Sequence, residues 1–181
     1  MKSKFILILA VLLVIGTTGA IFAQTAGPNL IKNGDFSKHP TAWPALPNDW
    51  NFRWSDGDGY EPIKTEDGRF IGWAEKPYSF ALLQNITNPA AGTYTLSAYF
   101  RLNPDSNVVN NGKVTMSVFS GRTLIKQRVI HTELLAMPRE KDHFFDLKDI
   151  PITGGVIRIE FEGVNISKYI GIDNVVFSRN P

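Results

Sequence analysis

The chain has 181 residues, 19 Lys+Arg against 17 Asp+Glu, 43% hydrophobic residues and no cysteine. Without cysteine there are no disulfide staples and no lipid-modified cysteine anchor, so the fold must be held by its core alone. Lys2 and Lys4 lie in the first 23 residues; without that stretch Lys+Arg falls from 19 to 17, equal to the 17 acids, and a neutral protein offers no electrostatic footprint for nucleic acid.

The N-terminal stretch reads as a leader. Met1-Lys2-Ser3-Lys4 is basic, Phe5 to Gly16 is apolar, and small residues run up to Ala23. That is the order of a secretory signal peptide, and the run is shorter than the ~20 apolar residues a membrane-spanning helix needs. Residues 1–23 are therefore expected to be a signal peptide cut near Ala23-Gln24, residues 24–28 a linker, and residues 29–181 one domain. The expected location is secreted or extracellular, with periplasm or cell surface as variants, and the expected state is a monomer with no membrane span after cleavage.

In chain order, Asn29 to Phe36 is a brief apolar strand running into an Asn-Gly-Asp turn, and His39 to Asp49 is a proline-rich loop. Trp50 to Trp54 alternates aromatic and polar residues as a strand does, and Asp56-Gly57-Asp58-Gly59 breaks it. Arg69 to Ala74 and Ser79 to Ile86 are two strand candidates split by Glu75-Lys76-Pro77.

Gly92 to Leu102 is the clearest element. Tyr94, Leu96, Ala98, Phe100 and Leu102 are apolar, while Thr93, Thr95, Ser97, Tyr99 and Arg101 are mostly polar, the period of two of a strand with one buried face. Burying the first set turns Tyr99 and Arg101 outward. Lys113 to Phe119 and Leu124 to His131 follow as strands, and Thr132 to Met137 is the only candidate helical turn. Phe144 to Ile150, Val156 to Val164 and Tyr169 to Ser178 complete the list. In Val156 to Val164, Ile157, Ile159 and Phe161 would be core, leaving Arg158, Glu160 and Glu162 outward; Phe119 points away from Val114, Met116 and Val118 by the same logic. Short strands between Gly, Pro and Asn punctuation argue for an all-β sandwich or barrel.

Four segments carry a resemblance. Asn29-Leu30-Ile31-Lys32-Asn33-Gly34-Asp35-Phe36, Gln84-Asn85-Ile86, Gly92 to Tyr99 and Ile172-Asp173-Asn174-Val175 together resemble, in order and spacing, carbohydrate-binding modules of the cenC type. These are jelly-roll families that bind cellulose, xylan and related glucans. The resemblance implies a galactose-binding-like jelly roll of two antiparallel sheets, frequently with a structural calcium and usually attached to a glycoside hydrolase. The acidic residue that often follows the family's Asn-Gly-Asp-Phe is Ser37 here.

Calcium is expected at Asp173, because a carboxylate in an apolar last strand is costly unless a cation or donors compensate it, with Asp35 as a weaker second ligand. The alternative for Asp173 is a carboxylate capping turn amides. For a polysaccharide, flat rings would stack on sugar C–H faces while polar neighbours read hydroxyls. The expected contacts are Tyr99, Arg101, Gln84, Glu160, Phe119, Trp54 and Trp73, on a concave sheet. Trp50, Phe52 and Trp54 share one face and fit a core row as well as a platform, while Trp43, Tyr60 and Tyr78 lie in or near loops.

Catalytic signals are thin. His39, His131 and His143 form no His-Glu-x-x-His pair, Ser120 lacks a nucleophile elbow, and Glu160 and Glu162 share one strand face, where paired acids are usually just solvated. The sequence thus points to a secreted, non-catalytic module binding a polysaccharide, with a role as accessory to glycoside hydrolases implied by the resemblance. The alternatives are a structural or adhesive surface module binding protein or matrix, and a small jelly-roll hydrolase or lyase.

Overall fold

The computed structural model describes residues 26–38, 47–55, 60–61, 69–103, 111–135 and 141–181. The signal peptide, most of the 39–49 loop with His39 and Trp43, and the 56–59 turn lie outside the described residues. Among the described residues there are eight strands: β1 Asn51–Ser55, β2 Tyr60–Glu61, β3 Phe70–Thr87, β4 Gly92–Asn103, β5 Lys113–Ser120, β6 Thr123–His131, β7 His143–Ile152 and β8 Val156–Arg179. The candidate helical turn is a 3₁₀ turn over Thr132–Leu135. Among the described residues no helix is long and apolar enough to cross a membrane.

Every pairing among the described residues is antiparallel. β3 and β8 are long enough to cross from one layer of the sandwich to the other. The last part of β3 (residues 78–87) and the first part of β8 (156–164) pair in a first sheet of order β6-β5-β8-β3-β1. The first part of β3 (70–74) and the last part of β8 (169–179) pair in a second sheet of order β7-β4-β8-β3-β2.

This explains two departures from the expected strands. Arg69–Ala74 and Ser79–Ile86 are one strand, and Pro77 does not break it because the register jumps between Ala74 and Tyr78 as β3 changes sheets. No ladder bond is asked of its missing N–H there. Val156–Val164 and Tyr169–Ser178 are likewise one strand, bent near Asn165, whose φ is 55°. At the corner, Gly163 leaves room for Phe80, since a Cβ there would run into the Phe80 ring.

Asn29–Phe36 is not a strand. Its backbone joins β8 only at single bonds, such as Leu30 N–H to the Phe177 carbonyl at 2.9 Å, before turning at residues 32–35. Asn29 pins it: its carboxamide oxygen accepts from the Ile31 and Phe177 N–H groups, and its Nδ2 donates to the Val175 carbonyl.

The core lies between the sheets. Tyr94, Leu96, Ala98, Phe100 and Leu102 are buried, as their alternation dictates, and face Val114, Met116, Val118, Ile157, Ile159 and Phe161. Burial of such side chains contributes about 1.5–3 kcal/mol each. Trp50 is buried and Phe52 packs half-buried on Phe70 and Phe80, so these two belong to the core row rather than to a platform.

Candidate functional site

The expected sugar contacts fall on opposite outer faces of the sandwich. β4 belongs to the second sheet and the first half of β8 to the first sheet, so Tyr99 and Arg101 lie on one surface, and Glu160 and Phe119 on the other.

On the first sheet, burial of alternate residues in β5 and β8 turns Thr115, Ser117, Phe119, Arg158, Glu160 and Glu162 outward. Phe119 pairs directly with Arg158, whose guanidinium carbon lies 4.1 Å from the ring centroid. The Arg158 Nε is 3.0 Å from the Glu160 carboxylate, an ion contact rather than an aligned hydrogen bond. A cation over an aromatic face is worth about 0.5–2 kcal/mol, depending on how far it is desolvated, and Glu160 restricts its rotation. Ser117 and Thr115 are only 5% and 8% exposed although they point outward, whereas Val129 on the β6 edge is 42% exposed. The result is a ring, a held guanidinium, a carboxylate and two hydroxyls on one outer face.

On the second sheet, Tyr99 of β4 pairs with Phe144 of β7; their ring centroids are 5.2 Å apart and tilted by 58°. One pleat repeat along, Arg101 donates from Nε and Nη2 to Asp142, both at 3.0 Å. Arg69 donates to the same carboxylate at 2.8 and 3.3 Å and reaches Asp173 at 3.7 Å. Arg69 lies across Gly171, where a Cβ would stand 2.8 Å from its Cδ. Burial raises the Asp142 carboxyl, but the hydrogen bonds from Arg101 and Arg69 outweigh it and hold its pKa below the usual carboxylate value. Tyr169, beside Arg69, is pushed up by burial.

The remaining expected contacts separate from both faces. Gln84 is 4% exposed on the core side of β3, level with Leu82 and Ile86. Its oxygen accepts the Lys32 N–H at 2.8 Å, and its nitrogen donates to the Lys32 and Asp49 carbonyls. The structure therefore places Gln84 as a clamp between two loops and not on a ligand face. Trp54 and Trp73 hold backbone positions opposite Phe80 and Tyr169; their side chains lie outside the described residues.

Asp173 accepts the Asn174 N–H at 2.6 Å and the Asn174 Nδ2 at 3.2 Å, the arrangement expected of a turn-capping carboxylate. Burial nevertheless raises its pKa, more than Asn174 and the long Arg69 contact lower it, with Asp142 and Asp35 adding to the rise. Asp35 stays close because the Val175 N–H donates to Gly34 at 2.9 Å. A carboxylate whose charge is disfavoured by burial suits a cation in kind, although among the described residues no group of three or more acidic, His or Cys ligands converges. Apart from both faces, a cavity of about 430 Å³ lies at one end of the sandwich, lined by Leu30, Ile86, Pro89, Tyr94 and Arg179.

Sequence reasoning left Phe144, Arg69 and Asp142 unassigned. Phe144 had a signal, a ring in an alternating strand, but Phe145 follows it and hides which of the two points out.

No family model matches the chain, and no curated protein matches it by sequence. Solved structures do. TmCBM61 in complex with beta-1,4-galactotriose superposes with a TM-score of 0.58 at 17% identity, covering 84% of this chain and 99% of that one. A CBM4 structure gives a TM-score of 0.56 at 16% identity, covering 83% and 99%. The K3 cleaved adhesin domain of Lys-gingipain from Porphyromonas gingivalis gives 0.53 at 14% identity, covering 86% and 99%. The chain thus has the two-sheet β-sandwich fold of carbohydrate-binding modules, a fold that an adhesin domain shares.

Proposed function

We propose that this chain is a secreted, non-catalytic carbohydrate-binding module that holds a single polysaccharide chain on the outer face of its first sheet. The observation that carries this reading is the Phe119–Arg158–Glu160 group beside Ser117 and Thr115 on the same outer face. An aromatic ring offers a stacking plane for a pyranose, while a guanidinium, a carboxylate and hydroxyls supply donors and acceptors for its hydroxyl groups. The Phe119–Arg158–Glu160 contacts hold these groups in place before a ligand arrives, so little ordering cost falls on binding. Solved relatives of the fold bind oligosaccharides, beta-1,4-galactotriose among them. Secretion rests on the N-terminal sequence, the accessory role on the resemblance, and a calcium held by Asp173 and Asp35 would stabilise the fold without touching that face.

The adhesive reading is the second one, favoured by the adhesin domain that shares the fold. Residues 24–181, presented to a glycan array and to insoluble xylan, cellulose and galactan, are expected to be retained on at least one glycan. Retention on immobilised matrix protein with no retention on any glycan would sink the carbohydrate reading in favour of adhesion.

A further inference from the structure

The second sheet presents a surface apart from the Phe119 face. Tyr99 is 38% and Phe144 53% exposed, directly opposite each other on neighbouring strands, which is unusual exposure for two large rings. Beside them the Arg69–Asp142–Arg101 bridge is fixed by four hydrogen bonds and seated on Gly171. From these observations, and resting on the carbohydrate-binding reading above, we propose that this face is a second glycan-binding surface, with Tyr99 and Phe144 as its stacking pair and the bridge as its polar partner.

Three features select the ligand class. First, Thr93, Thr95 and Ser97 continue β4 outward from Tyr99, so the rings are followed by hydroxyls rather than by the aliphatic centre that a stable protein interface needs. Second, the two guanidiniums meet two carboxylates, Asp142 and Asp173, so this cluster carries no net charge. A polyuronate gains no net attraction from such a cluster, and a neutral glycan needs none. Third, both polar ends of the bridge are already paired, so they present fixed donors and acceptors to hydroxyl groups without exposing an unpaired charge.

The two sheets stack back to back, roughly 10 Å apart, with their outer faces on opposite sides. A chain lying along one face cannot at the same time lie along the other. A module with two such faces holds two chains and cross-links them.

The test uses residues 24–181 in affinity electrophoresis and turbidity assays with neutral xylan, galactan and hydroxyethylcellulose, and with polygalacturonate as the acidic comparison. The variants are Tyr99→Ala/Phe144→Ala for the second face, Phe119→Ala/Glu160→Ala for the first, and all four together, each first shown to melt cooperatively; Phe144→Ala alone replaces the double variant if that one fails to fold. The expected result is cross-linking of a neutral polysaccharide by the parent, loss of cross-linking but retained retardation in each two-residue variant, and no retardation with all four changes. Retardation and cross-linking unchanged by Tyr99→Ala/Phe144→Ala, but abolished by Phe119→Ala/Glu160→Ala, would overturn the second surface and leave the first reading standing. Loss of all binding with the Tyr99 and Phe144 changes alone would overturn the two-face proposal and move the single site. Retardation by polygalacturonate alone would overturn the neutral class, and no retardation by any polysaccharide would overturn both readings.

Discussion

Arg158 and Phe119, paired across β8 and β5, form a cation–ring contact with 4.1 Å between guanidinium carbon and ring centroid. The ring is thereby fixed on a sheet rather than on a loop, and its neighbour Glu160 is two residues along the same strand. Truncating an aromatic anchor typically costs about 2 kcal/mol or more of binding, and a factor of ten is about 1.4 kcal/mol. Phe119→Ala is therefore expected to weaken polysaccharide binding at least roughly tenfold while costing about 1 kcal/mol of stability. Titration calorimetry beside a thermal melt checks both; undiminished binding in a folded variant would leave the Phe119 face without its function.

Gln84 makes the opposite prediction. Its amide serves the Lys32 N–H and two carbonyls, so Gln84→Ala strands three backbone groups at once. Each buried polar group left without a partner costs about 1–3 kcal/mol. Chemical denaturation is expected to show a loss of roughly 2 kcal/mol or more, with glycan affinity of the remaining folded protein unchanged. A stable variant with weakened binding would return Gln84 to the ligand face.

How much of this was readable in the sequence differs from strand to strand for a physical reason. Tyr94 to Leu102 was legible because a strand with one buried face must alternate, and the sides of Tyr99, Arg101, Phe119 and Glu160 followed from that rule alone. Gln84 carried the same signal, since it shares parity with Leu82 and Ile86, and that parity places it inside. Which sheet each strand joins was not legible. β8 serves both sheets and the first half of it faces away from β4, so residues that all point outward point to opposite sides. Arg69 and Asp142 are 73 residues apart and meet only through the order of the second sheet. Pro77 argued for a break that the change of sheets made unnecessary.

The Arg69–Asp142–Arg101 bridge predicts an acid limb. The folded-state pKa of Asp142 is depressed, because the two guanidiniums outweigh the effect of burial. Its contribution is then fully present above the unfolded value of about 3.9 and is lost as pH falls through the lower folded value. Thermal melts from pH 7 to pH 2 are expected to fall steeply below about pH 4 in the parent. Asp142→Asn should start lower at pH 7 and fall less across that window. Parallel curves for the two proteins would mean that the bridge, partly exposed as it is, adds nothing to stability.

Asp173 titrates the other way, and that separates its two expected roles. Burial, Asp142 and Asp35 raise its pKa against the pull of Asn174 and Arg69. A carboxyl whose folded pKa is raised binds its proton more tightly in the folded state, so stability decreases as pH rises from the unfolded value through the folded one. At neutral pH, in the absence of a cation, the charged form is therefore the less favourable one, and Asp173→Asn, which keeps an oxygen to accept the Asn174 N–H, is expected to melt at or above the parent in chelator. Calcium reverses the order if Asp173 and Asp35 hold it: a cation bound only by the folded state stabilises by RT ln(1 + [L]/Kd), about 2.7 kcal/mol at a hundredfold excess over Kd. The parent should then gain melting temperature on calcium addition and Asp173→Asn should not, while glycan retention in the Tyr99→Ala/Phe144→Ala background, where only the Phe119 face is left to bind, is the same with and without the Asp173 change. A parent whose melting temperature is identical in calcium and in chelator would leave Asp173 with the Asn174 cap and the Arg69 contact as its whole role.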